Sequence, residues 1–295
     1  MAAEPDWSRI EAEHPGLRVR STRFLGEGWC SRVFVVNDEL VVRCPKRAGH
    51  WDEVDREMAF LAYAADRLPL PVPRYVHAAP RSPASPHGYA AYRYLAGRTM
   101  NTPAMTERER SAAAERLAEF LRAFHALEPE AEIAAILPRD DARRTVEELV
   151  GRAGREIAPR LEPADARTLV RELELHMSES RNFSCTPRII HADFSKDHIL
   201  VHEGAVAAVI DFGDVGWGDP DYDFMYLSID TDARFVDEVA SRYGHPNREL
   251  LRAKLRFFTA IELIDTLLNG EDLALDGQIE AAWHQLRARL RRQRD

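Results

Sequence analysis

Polar and apolar positions over 7–15 predict a short helix, ended by Pro15-Gly16. From Arg23 the pattern turns to strand character. Arg23-Phe24-Leu25 leads into Gly26-Glu27-Gly28-Trp29-Cys30-Ser31, followed by Arg32–Val36, the turn Asn37-Asp38, and Leu40–Cys44. This reads as a β-meander with a glycine turn between its first two strands. A helix is expected over Asp52–Tyr63. The alternating prolines of Leu68–Pro73 then favour extended chain. A strand near Arg74–Ala79, an exposed turn over 81–88 and a strand over Tyr89–Leu95 follow.

After Thr106 the apolar spacing becomes helical. Leu117, Phe120, Leu121, Phe124 and Leu127 share one face of residues 111–127, and His125 is read as a packing residue. Helices are also expected over 140–152 and 163–180, with Pro159 and Pro163 between them. Further helices follow Asp223 to the end. One covers 252–270; another carries Trp283 and His284, read as core packing, and runs into a basic, solvated tail.

The 295 residues allow one large or two ordinary domains, and 45% hydrophobic with 30% charged residues fits a packed globular protein. No apolar run approaches the roughly 20 residues of a membrane span. The polar, acidic start is not expected to act as a signal peptide. Cys30, Cys44 and Cys185 are far apart and form no metal-binding spacing, so a reducing cytosol is the expected location. A net charge of −9 argues against a nucleic-acid partner and permits a cationic one.

The chemistry concentrates between Ile190 and Asp223. His191, Asp193 and His198 precede the apolar Ile199-Leu200-Val201. A turn at Glu203-Gly204 follows, and Val206–Ile210 runs directly onto Asp211. A strand hairpin here would bring Asp193 and His198 to face Asp211. Two carboxylates and an imidazole at strand ends suit a catalytic base beside a metal site.

HxD, then His198, then a hairpin ending in IDFG resembles the catalytic and metal loops of the protein-kinase-like fold. Ala192 and Ser195 stand where protein kinases carry Arg and Lys, which resembles the small-molecule branch. HADFSKDHIL with IDFGDVGWGDPDYDF is most similar to the aminoglycoside 2''-phosphotransferases, within the aminoglycoside phosphotransferase (antibiotic kinase) family.

The resemblance implies an α+β, two-lobed fold: an antiparallel β nucleotide lobe over 1–95, and a mostly helical catalytic and acceptor lobe with a helical insert over 96–295. It implies O-phosphorylation of a small molecule by ATP or GTP, with Asp193 as base and Mg²⁺, or Mn²⁺, near Asp211 and His198. An imidazole suits softer ions than Mg²⁺. Gly26, Gly28 and Ser31 would cover the phosphates. Arg43 stands where the family usually has Lys, with Lys46 as an alternative cation and Glu57 as its ion-pair partner. Backbone groups near Arg93 and Leu95 would meet the purine. Asp193 would also touch the acceptor, and Glu262 and Asp265, three apart on one helix, would bind its amino groups. A cationic antibiotic, first an aminoglycoside, is the expected acceptor. Macrolide, peptide or nucleoside antibiotics, a metabolic acceptor such as choline, homoserine or a sugar, and a nucleotide-binding pseudokinase stay open.

Overall fold

The computed structural model describes residues 5–292 except 15, 29, 81–85, 140 and 271–275. Trp29 of the glycine turn, most of the expected turn over 81–88, Asp140 and the end of the basic tail lie outside the described residues.

In chain order the elements begin with α1 (Trp7–Glu13), β1 (Thr22–Glu27), β2 (Ser31–Val36), β3 (Leu40–Pro45), α2 (Trp51–Ala64), β4 (Tyr75–Ala79), β5 (Tyr89–Arg93) and β6 (Arg98–Thr99). Then come α3 (Glu107–His125), α4 (Ala131–Ile136), α5 (Ala142–Arg152), α6 (Pro163–Ser178), β7 (Arg188–Ile190), β8 (Ile199–His202), β9 (Ala205–Val209) and β10 (Gly216–Gly218). The chain finishes with α7 (Asp223–Asp230), α8 (Ala233–Tyr243), α9 (Arg248–Asn269) and α10 (Asp276–Arg292). It divides into two compact units, residues 1–138 with 191–216, and residues 139–190 with 217–295.

In the first unit, five of the described strands form an antiparallel sheet in the order β1-β2-β3-β5-β4. Side chains alternate across a strand, so each face collects every second residue. Phe34, Val36, Leu40, Val42, Cys44, Tyr89 and Ala91 take one face and bury against Ile10 and Leu17. Arg43, between Val42 and Cys44, therefore points to the other face, where it meets α2. The strand expected over 89–95 ends at Arg93, although the Tyr94 N–H still donates to the Glu39 carbonyl.

α3 starts on a full capping box between Thr106 and Glu109 and buries the expected stripe of Leu117, Phe120, Leu121 and Phe124. His125 is buried as well. The β8–β9 hairpin turns at Glu203 and Gly204, whose φ angles of 50° and 79° match the twist of the strands it joins. Gly97 is needed for packing: its φ is 150°, and a Cβ there would lie 3.0 Å from Leu200 Cβ.

The second unit is mostly helical. Ile157, Leu169, Leu173, Ile264, Leu267, Leu286 and Leu290 form its core, contributed by α6, α9, α10 and the turn after α5. Trp283 packs against that core in part, and His284 is exposed. Pro163 sits in the first turn of α6, where its missing N–H has no helical partner to lose. Lys254 is 2% exposed, and its ammonium meets Asp219 Oδ2 at 2.7 Å, Asp221 Oδ2 at 3.0 Å and the Ser184 carbonyl at 3.0 Å.

Candidate active site

The hairpin places Asp211 one residue beyond the end of β9 and His198 directly before β8, with the Ile210 N–H donating to the His198 carbonyl. Their side chains therefore stand side by side. His198 Nε2 lies 3.6 Å from Asp211 Oδ2, and His198 Nδ1 lies 3.3 Å from Asp193 Oδ2. Nδ1 also donates to the Asp193 backbone carbonyl at 2.9 Å. A carbonyl only accepts, so the proton is fixed on Nδ1 and Nε2 is turned toward Asp211.

His191 works beneath them. Its Nε2 donates to the carbonyl of Ile210, the residue before Asp211, and its Nδ1 accepts the Asp193 N–H. One fully buried imidazole thus ties both carboxylate-bearing segments together. Its ring lies 4.6 Å from Phe212, which joins Phe60 of α2 and Phe124 of α3 in one aromatic cluster. Ala192 and Asp211 are held at φ 66° and 62°, a left-handed conformation that costs non-glycine residues about 1 kcal/mol or more. Such strain persists only where packing on all sides overdetermines the backbone.

Arg43 completes the cluster. Its Nη1 donates to Glu57 Oε2 at 2.5 Å, and its Nη2 lies 3.2 Å from Asp211 Oδ1. Burial works against the guanidinium charge, but Asp211 and Glu57 more than offset it and hold the group above its ordinary pKa. Burial raises the Glu57 carboxyl, against the pull of Arg43. Burial would raise Asp211 too, but Arg43 and His198 outweigh it and hold that carboxyl below its ordinary value. Burial lowers His198; Asp193 and Asp211 outweigh it and the imidazole is raised. The Glu57 side chain is 0% exposed, whereas Asp193 and Asp211 keep 31% and 42%, so only the latter two can meet a ligand.

Lys46 is elsewhere. Its ammonium bridges Glu27 Oε1 at 2.9 Å and the Gly28 carbonyl at 3.2 Å, along the glycine turn. The geometry thus puts Arg43, and not Lys46, on Glu57. A Cβ at Gly26 would meet nothing within 4 Å and at Gly28 only the Ser31 carbonyl at 3.9 Å, which leaves open space beside this backbone. Ser31 is buried at its end. The side chains of Arg93 and Leu95 line a 370 Å³ cavity with Leu68, Leu70 and Val72.

In the second unit, Glu262 accepts hydrogen bonds from Tyr226 (2.9 Å) and Tyr222 (3.4 Å), and Asp265 accepts one from Asn269 at 2.7 Å. Burial raises the Asp265 carboxyl above its ordinary value.

Sequence reasoning missed two residues of α2. Arg56 Nη2 donates to the Gly213 carbonyl at 2.9 Å, and Glu53 accepts from the Cys30 thiol at 2.6 Å. Glu53 and Arg56 are three apart, hence neighbours on one helix face. That spacing was visible, but their partners lie 157 and 23 residues away in the chain.

Among the described residues, no three His, Cys, Asp or Glu side chains are arranged to hold one metal ion. Asp211 and His198 offer one carboxylate and one imidazole. The carboxylate fits a divalent ion that keeps waters and takes phosphate oxygens as its other ligands, as Mg²⁺ does, whereas the imidazole suits a softer ion; two donors do not make the closed protein cage of a structural metal.

An N-terminal antiparallel sheet, a mostly helical C-terminal region and this cluster define a phosphotransferase of the protein-kinase-like fold. The phosphotransferase enzyme family matches residues 21–258, and the chain belongs to that family. It is an enzyme that transfers a phosphoryl group to a hydroxyl. The structure is similar to the GDP and kanamycin complex of APH(2'')-IIIa, with 26% identity, TM-score 0.88, and coverage of 96% of this chain and 97% of the other. It is also similar to the GDP complex of wild-type aminoglycoside 2'-phosphotransferase-IIIa, with 25% identity, TM-score 0.89, and 97% and 98% coverage. Macrolide 2'-phosphotransferase type I shares the fold at 22% identity and TM-score 0.74, with 95% and 96% coverage. No curated protein sequence matches the chain.

Proposed function

We propose that the protein transfers the γ-phosphoryl group of ATP or GTP to a hydroxyl of a small cationic antibiotic, an aminoglycoside first. The observation that carries this reading is that Asp193 and Asp211 meet at one imidazole, His198, while Arg43 pairs with Asp211 from β3. The family supplies the reaction type. The kanamycin held by the similar APH(2'')-IIIa structure supports an aminoglycoside as acceptor.

Phosphoryl transfer needs positioning and charge neutralisation more than covalent chemistry. Asp193 accepts a hydrogen bond from the acceptor hydroxyl and aims its oxygen at the γ-phosphorus. As the new O–P bond forms and the β–γ bridging bond breaks, Asp193 takes the hydroxyl proton and the nucleoside diphosphate leaves. Arg43, anchored by Glu57, puts its guanidinium on phosphate oxygens. Gly26, Gly28 and Ser31 cover the phosphates, with Lys46 bracing that turn. Asp211 and His198 Nε2 would hold Mg²⁺ or Mn²⁺, which when bound neutralises phosphate charge. The purine edge pairs with backbone at Arg93 and Leu95. Glu262 and Asp265 bind amino groups of the acceptor.

Residues 1–95 serve as the nucleotide lobe and 96–295 as the catalytic and acceptor lobe. No helix among the described residues is long and apolar enough to cross a membrane, and the three free cysteines fit a reducing cytoplasm.

The test is nucleotide consumption with ATP and GTP in parallel, over a panel of aminoglycosides, macrolides, peptide and nucleoside antibiotics, choline, homoserine and sugars. Turnover that depends on an aminoglycoside and is lost in Asp193→Asn is expected. Turnover with another acceptor alone would reassign the substrate. Nucleotide binding without turnover on any acceptor would overturn the catalytic reading.

A further inference from the structure

A cavity of about 780 Å³ lies within the second unit. Arg160, Trp283, His284, Arg287 and Arg291 line it, with Glu280 at its edge and Ile279 and Ala288 as apolar wall. The Arg160 guanidinium sits 4.7 Å from the Trp283 ring centre and that of Arg287 5.4 Å from it. Both cations are thus steered by the indole, which costs their N–H groups no hydrogen-bonding capacity. Among the described residues, Arg160, Arg287 and Arg291 take part in no ion pair. Nearby arginines are used differently: Arg289 pairs with Glu172, and Arg152 with Glu156.

Among the described lining residues, three arginines stand against one glutamate, a formal charge of +2, in a chain of net charge −9. A cationic acceptor is repelled from such a place. A bare inorganic ion would leave most of 780 Å³ and the apolar wall unused. Ligand pockets fall in the range of roughly 300–1,000 Å³ and combine apolar walls with a few convergent polar groups. We propose that this cavity binds an organic phosphate monoester, with the phosphate on the Arg160, Arg287 and Arg291 guanidiniums and the organic part against Ile279, Ala288 and the Trp283 edge. At neutral pH a phosphate monoester carries a charge of about −1.5 to −2, which matches the cavity's charge. Guanidiniums bind phosphate through paired N–H groups, the strongest of the charge-assisted arrangements. The site does not depend on the reaction proposed above.

The test is calorimetric titration of the full-length protein with phenyl phosphate, with inorganic phosphate and with phenol. The same titrations follow on R160Q/R287Q, a pair of surface substitutions whose fold is checked by thermal melting. Phenyl phosphate is expected to bind at one site, more tightly than either fragment, with affinity that falls as salt rises. The double variant should weaken it at least tenfold while its melting curve stays in place. Three results would overturn the proposal: no binding of phenyl phosphate, binding unchanged in R160Q/R287Q, or inorganic phosphate binding as tightly as phenyl phosphate.

Discussion

Arg43 Nη2 lies 3.2 Å from Asp211 Oδ1, so the cation of β3 is ion-paired to the carboxylate that follows β9. Its other nitrogen holds the fully buried Glu57. A guanidinium has two edges to offer two carboxylates; an ammonium is a single point of charge. That difference gives a physical reason for Arg at a position where the resemblance leads one to expect Lys.

Removing this cation leaves Glu57 buried without its partner. Arg43→Met is expected to destabilise the protein by about 3–5 kcal/mol, because one uncompensated buried charge remains. Arg43→Lys keeps a cation and should lose less. Chemical denaturation of the two variants beside the parent measures both.

Asp193→Asn keeps the shape of the loop but cannot take a proton. With Asp193 as the base proposed above, the turnover number should fall by about 10²–10⁴-fold, the usual share of a general base. Nucleotide affinity should change little, since Asp193 is assigned to the acceptor. Equilibrium nucleotide binding and initial rates, measured together, separate the two effects.

Arg56 holds the Gly213 carbonyl two residues beyond Asp211. Arg56→Leu should loosen that segment and, with Asp211 as the metal ligand proposed above, raise the Mg²⁺ concentration needed for half-maximal nucleotide binding. A charge-assisted hydrogen bond contributes about 1.5–3 kcal/mol, so a shift of at least tenfold is expected. Nucleotide binding titrated against Mg²⁺ reads it directly. An unchanged Mg²⁺ requirement would limit Arg56 to general packing.

Lys254 pairs with both Asp219 and Asp221 inside the second unit, and His245 Nε2 meets Asp221 Oδ1 at 2.8 Å. Lys254→Met should cost about 3–5 kcal/mol for the same reason as Arg43→Met. Burial would raise Asp221, but hydrogen bonds from His245 and Lys254 outweigh it and hold the carboxyl below its ordinary 3.8. A lowered folded value means that Asp221 contributes fully above the unfolded value and stops contributing as pH falls through the folded one. Denaturation midpoints should therefore fall as pH drops below about 5, and less steeply in Asp221→Asn.

The elements with the strongest periodicity were legible in the sequence. The α3 stripe, the meander and the β8–β9 hairpin follow from local spacing and turn chemistry, and the observed bounds differ by a few residues. Short elements were not legible: β6, β7 and β10 have two or three residues each, too few to show a period. They exist because partners remote in sequence complete their hydrogen bonds, as Leu200 and Val201 do for β6.

The sequence by itself determined which chemistry is present. The order His191, Asp193, His198, Asp211, and the hairpin between them, is encoded within one short stretch, because turn residues and alternating apolar positions act locally. Tertiary structure decided which of these groups meet partners from elsewhere. Arg43 rather than Lys46 reaches Glu57 because strand alternation turns Arg43 toward α2 while Lys46 lies beyond the end of β3, on the glycine turn. Arg56 meets Gly213 across 157 residues of chain. The cavity around Trp283 likewise joins Arg160 to α10 from far away in sequence. Such meetings are set by the packing of whole faces, which no local pattern of residues records.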